Sequence, residues 1–63
     1  MLKFVLKDSE KGYFKGLNEE YSDTIDFTDV KEEAFVFIGK EKASIQAVNM
    51  NRFGLHFNLE EKV

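Results

Sequence analysis

Few side chains in this sequence have chemistry to offer, and their spacing narrows what that chemistry is. His56 is the single histidine, and there is no cysteine. Acyl-transfer triads and zinc centres need a histidine positioned by other groups, usually with further nitrogen or sulfur ligands. Along a strand His56 shares a face only with Asn58 and Glu60, so it reads as an exposed strand residue. Ser9, Ser22 and Ser44 are the candidate hydroxyl nucleophiles, and none has a glycine elbow around it. Gly12, Gly16, Gly39 and Gly54 never cluster into a phosphate-cradling loop. Asp23, Asp26 and Asp29 recur every three residues, followed by Glu32 and Glu33. Calcium loops of the EF-hand type alternate their oxygens by two around a central glycine, whereas a spacing of three along a strand throws successive carboxylates to opposite faces. The expectation is a non-enzymatic chain with no cofactor and no metal.

Two charged constellations remain. The net charge is only −3, but residues 17–33 hold Glu19, Glu20, Asp23, Asp26, Asp29, Glu32 and Glu33 against Lys31 alone. Exposed ion pairs contribute about 0–1 kcal/mol each, so stability gives little reason to concentrate charge in this way. Such a field attracts a basic protein partner and speeds encounter, which makes the acidic segment the candidate protein-binding surface; its plain rival is a solvated face that keeps an aromatic-rich domain in solution. The second constellation is Lys3, Lys7 and Lys15, which share the outward face of the first hairpin with Val5 and have Tyr13 nearby. Basic residues beside aromatic rings bind nucleic acid, so a small nucleic-acid-binding module is the alternative reading. Three lysines in a net-negative chain make a weak footprint, and solubilising a sheet face accounts for them as well.

The elements that position these groups follow from apolar periodicity. Sixty-three residues, 43% hydrophobic and 33% charged, without proline, cysteine or tryptophan, form one domain, because so few apolar side chains cannot build two cores. The seven phenylalanines, beside Tyr13 and Tyr21, are expected to make that core. Leu2, Phe4 and Leu6 alternate with Lys3, Val5 and Lys7, the period of a half-buried strand. A polar stretch, residues 8–12, ends in Gly12 and leads to Tyr13–Leu17, which reads as the second arm of a hairpin with Gly12 at positive φ. Ile25 and Phe27 place a short strand near 24–28. Asp29 followed by Glu32 resembles a capping box and predicts one helical turn at 30–34. Residues 35–38 are apolar on both parities, a buried strand or the packed end of that turn. Ala43, Ala47 and Met50 fall on one helical face of residues 40–51, with Arg52 and Gly54 as C-terminal signals; Ile45 and Val48 lie off that face. Leu55, Phe57 and Leu59 alternate as a final strand over 55–60.

At residues 27–43 the pattern Phe27-Thr28-Asp29, Ala34, Phe37 and Lys40-Glu41-Lys42-Ala43 resembles small uncharacterised phage and prophage proteins of Gram-positive bacteria, over about residues 4–48. What the resemblance implies is a small sheet with one packed helix and no assigned catalytic chemistry. From the residues themselves the expected fold is α+β, a single domain over 1–63: an antiparallel sheet of the N-terminal hairpin plus the C-terminal strand, packed against one helix at about 40–51. The alternative is a small all-β barrel with a strand at 43–48. The longest apolar run, Ala34–Ile38, is far short of the roughly 20 residues of a spanning helix, and the N-terminus lacks the apolar stretch of a signal peptide; a cytoplasmic protein without membrane contact is expected. Its expected partner is a protein. Because a short chain with an open hairpin edge leaves apolar surface and backbone groups poorly covered, pairing with a second copy would cover both.

Overall fold

The computed structural model describes residues 2–17 and 24–62. In chain order the elements are β1 (Lys3–Asp8), β2 (Gly12–Leu17), β3 (Ile25–Thr28), a 3₁₀ turn (Lys31–Glu33), β4 (Phe37–Ile38), α1 (Lys40–Asn51) and β5 (Phe57–Lys62). The strands make one antiparallel sheet, and the helix packs on one of its faces, an α+β arrangement.

β1 is the centre of the sheet. Along one edge it pairs with β5 without interruption, from Lys3↔Lys62 to Asp8↔Phe57. Its other edge is divided. β2 takes the end at Lys7 and Asp8, and β4 takes the end at Lys3 and Phe4. The Phe35 amide donates to the Phe14 carbonyl at 2.9 Å, so the segment entering β4 first runs along β2. β3 adds to the far side of β2, with a register shift between Phe14 and Gly16 that leaves Lys15 as the extra residue of a bulge.

Phe4 and Leu6 are buried, as their alternation predicts. Val5 is a correction: read as outward-facing, it is fully buried. Val5 pairs directly with Glu60, and directly opposed residues share a face. Lys31 reaches from the 3₁₀ turn to that face, its Nζ 3.3 Å from Glu60 Oε1 and 3.2 Å from the Glu61 carbonyl. The enclosure is local to the middle of the strand, since Lys3 and Lys7 on the same face stay exposed.

The polar stretch before Gly12 also holds more than a turn. Asp8 is only 3% exposed. Its Oδ1 accepts from the amides of Glu10 (2.9 Å) and Lys11 (3.0 Å), and its Oδ2 accepts from the His56 amide at 2.8 Å. One carboxylate therefore folds the hairpin turn and fixes the entry of β5, 48 residues away in sequence. Gly12 has φ +98°, and a Cβ there would stand 2.8 Å from the Thr28 carbonyl oxygen, so glycine is required by both conformation and space.

The helix matches its expected span, which excludes the strand alternative at 43–48. Ala43, Ala47 and Met50 are its buried residues, packing with Phe4, Leu6, Phe14, Leu55 and Phe57. At its last residue the Asn51 side chain accepts from the Phe57 amide (2.8 Å) and donates to the Phe57 carbonyl (3.2 Å), tying β5 to the helix terminus.

Three local expectations shift. The helical turn is a 3₁₀ turn whose N-cap residue, Val30, makes no side-chain cap bond; the nearby bond is Thr28 Oγ1 accepting from the Val30 amide, with Asp29 taking no such role. Residues 35–38 form a strand of two residues, with Phe35 and Ile38 exposed. The final strand starts at Phe57 and runs to Lys62, two residues later than its alternation suggests, because Leu55 and His56 are used to bring the chain past Asp8. Among the described residues, no helix is long and apolar enough to cross a membrane.

The amide bonds to Asp8, that of His56 foremost and then that of Glu10, hold its carboxyl below the usual aspartate range, while burial pulls the other way. A lowered folded-state value means that the stabilisation is complete above the unfolded value and fades as pH falls through the folded one. Asp8→Asn, which can no longer accept at both carboxyl oxygens, is expected to lower stability by about 1–3 kcal/mol at neutral pH. In urea denaturation followed by circular dichroism, the difference from wild type should narrow below about pH 4.

Candidate functional site

The inner face of the sheet is lined with phenylalanine rings joined in a chain. Phe14 is its hub: its centroid lies 5.9 Å from Phe35, 6.1 Å from Phe37 and 6.0 Å from Phe57, the last edge-on. Phe35 and Phe37 are 4.9 Å apart, and Phe27 stacks on Phe57 at 5.8 Å. Offset and edge-to-face pairs of this kind each add about 0.5–1.5 kcal/mol beyond burial. The helix covers this face incompletely, since it packs chiefly against β1, β4 and β5. Beyond its flank, over the end of β2, the Phe35 ring stays half open to solvent.

There a cleft of about 290 Å³ is lined by Phe14, Gly16, Leu17, Phe35, Phe37 and Gln46. Phe14 forms its buried floor, while Phe35 is 48% and Leu17 57% exposed. Gly16 contributes no side chain, and Gln46 brings an amide from the helix, able to donate and accept. The arrangement is an apolar slot with one polar side chain at its side, suited to holding a ring or branched aliphatic group rather than to moving a proton.

The sequence-predicted residues fall elsewhere or at its margin. Of the acidic set, Glu19, Glu20 and Asp23 lie outside the described residues. Asp26 is half-buried on β3 and engaged with a neighbour. Asp29, Glu32 and Glu33 are exposed, the last two just ahead of Phe35 in the chain. The described acids are therefore divided between a strand and the 3₁₀ turn. Lys3 and Lys7 share the face opposite the helix. Lys7 lies over the Tyr13 ring at 5.5 Å, a cation–π contact, and the Tyr13 hydroxyl donates to Glu60 Oε1 at 3.1 Å. Because Glu60 also pairs with Lys31, that face mixes both signs of charge, and Lys15 stands apart on the bulge. His56 is exposed, as expected, but precedes β5 and contributes through its backbone amide. Among the described residues, no group of three or more histidine or carboxylate side chains is placed to hold a metal ion.

The cleft is what the sequence reading missed. Its signal was the stretch 35–38, apolar on both parities: a strand with apolar residues on both faces must either be covered twice or leave some exposed. The assignment of every phenylalanine to the core also needs correction, since Phe53 is 86% exposed and Phe35 half-exposed. Compared with known proteins, the chain matches no family model, no curated protein and no solved structure.

Floor and rim should separate by mutation. Phe14→Ala is expected to cost about 3–5 kcal/mol, a large share of the stability of so small a domain. Phe35→Ala, which removes a half-exposed ring, should cost less than about 2 kcal/mol. Equilibrium urea unfolding measures both. In a ¹H–¹⁵N titration, toluene should shift the Gly16 amide and the Gln46 side-chain amide in wild type and leave both unmoved in Phe35→Asp.

Proposed function

We propose that this domain is a non-enzymatic accessory protein that acts by protein–protein contact, taking an apolar anchor side chain of its partner into the cleft between β2, residues 35–37 and α1. The observation that carries this reading is the open aromatic slot itself. A small domain gains by burying every ring it can, yet Phe35 and Leu17 stay half in solvent around a buried floor. A volume of about 290 Å³ stands at the lower end of small-molecule pockets and suits one or two side chains. Anchors of this kind, packed into desolvated pockets, dominate the energetics of protein interfaces.

The charge around the slot selects the partner. Glu32 and Glu33 stand three and two residues ahead of Phe35, and among the described residues neither takes part in an ion pair. They favour a partner whose apolar anchor is flanked by Lys or Arg. The resemblance of residues 4–48 to small phage and prophage proteins makes a host or phage protein the one to look for. The lysine face supports a nucleic-acid-binding role less well, because Glu60 lies among its cations and already engages Tyr13 and Lys31.

Selection of wild-type binders from a random peptide library tests the reading. Enriched peptides should carry an aromatic or branched aliphatic anchor beside basic residues. Their capture should be lost in Leu17→Asp and Phe35→Asp. The joint change Glu32→Gln and Glu33→Gln should weaken capture and flatten its decline between about 0.05 and 0.5 M salt. Peptides held equally well by the two cleft variants would overturn it.

A further inference from the structure

The outer face of α1 carries a second, unrelated feature. Opposite its buried residues, the helix presents Glu41, Ile45, Val48 and Arg52, all exposed, with Ile45 at 56% and Val48 at 57%. Their spacing of four, three and four is the seam of a two-helix coiled pair. The chemistry along the seam is acid, apolar, apolar, base, and it is symmetric about the midpoint between Gln46 and Ala47. Glu41 and Arg52 lie equally far from that point on either side, and so do Ile45 and Val48. Neither Glu41 nor Arg52 has an ion-pair partner among the described residues. Phe53, the most exposed of the large apolar residues, directly follows Arg52 at the end of the seam.

We propose that this face is a self-docking surface, on which a second copy of the chain lays its own α1 antiparallel about a two-fold axis. Reversing one helix against the other places each Glu41 opposite the partner's Arg52 and each Ile45 opposite the partner's Val48. The seam spans about 16 Å at 1.5 Å per residue, long enough to keep the two charge pairs at opposite ends of the apolar centre. A parallel arrangement would set Glu41 against Glu41 and Arg52 against Arg52, so charge admits only one direction. An isologous contact of this kind is closed, since each copy uses the same patch once. It also covers the two aliphatic side chains that the sheet cannot reach, because Ala43, Ala47 and Met50 already occupy the inner face. With so small an apolar centre, the interface belongs to the weak, transient class.

Sedimentation equilibrium between about 10 µM and 1 mM tests it. The wild-type mass should climb from the 7.3 kDa of one chain towards twice that value. Val48→Asp should hold it at one chain across the range, with an unchanged circular dichroism spectrum because the position is exposed. Glu41→Arg alone and Arg52→Glu alone should each weaken association about tenfold or more, since symmetry turns two attractive pairs repulsive at once. Mixed together, these two single variants should associate at least as well as wild type, because each then supplies the sign the other lacks. A wild type that stays at one chain up to 1 mM overturns the proposal. So does association that Val48→Asp and the charge reversals leave unchanged. The surface is separate from the cleft: Leu17→Asp should dimerise normally, and Val48→Asp should still capture cleft-binding peptides.

Discussion

The structure depends on a mismatch between the two surfaces that meet in its core. The sheet offers phenylalanine rings, and the helix answers mainly with Ala43 and Ala47. Alanines on the inner face let the helix lie close to the strands, with the rings filling the space at its flanks. Two consequences follow from that fit. Rings beyond the flank of the helix, Phe35 and Phe37 over the buried Phe14, are only partly covered. The larger aliphatic residues of the helix, Ile45 and Val48, have no room inside and stand in solvent. The cleft and the outer seam are thus two products of one packing choice.

Polar groups do the work that a larger core would otherwise do. A chain of this length buries only roughly 60% of its unfolded surface, and it has neither disulfide nor proline to restrict the unfolded state. Asp8 and Asn51 compensate by joining distant segments. Asp8 joins the first hairpin to the entry of the last strand, and Asn51 closes both backbone groups of Phe57 at the outer edge of the sheet. The bonds to the Asp8 carboxylate are charge-assisted and about twice as strong as neutral ones such as those of Asn51. Asn51 also removes a pair of free backbone groups from an edge strand, which lessens the invitation to uncontrolled strand addition.

Much of the architecture was legible from spacing. The period of two in Leu2–Lys7 and Leu55–Glu60 announced strands, although Leu2 is exposed and Val5 buried against that alternation. The i, i+4, i+7 recurrence of Ala43, Ala47 and Met50 announced the helix, whose inner face those three residues make. The acidic and basic sets were equally visible as charge, but their grouping was not. Sequence proximity suggested a single acidic surface, whereas the chain places Asp26 on β3 and Glu32 and Glu33 on the 3₁₀ turn ahead of the aromatic slot. Lys3 and Lys7 were correctly placed together, yet Glu60 joins them from the other end of the chain, which local spacing cannot report.

The sequence by itself determined the α+β class, the span of the helix, the hairpin with its glycine and the division of charge along the chain, since all of these arise from interactions between residues a few positions apart. Only the tertiary structure decided that Val5 is enclosed, that Asp8 is a structural acceptor and that Phe35 lines an open slot while Phe53 lies outside the core. Those outcomes depend on which distant segments meet: β4 sharing an edge of β1 with β2, Lys31 crossing to Glu60, His56 passing Asp8. A side chain's type states what environments it tolerates, but the partner that supplies the environment lies tens of residues away, and its position is a property of the packed whole.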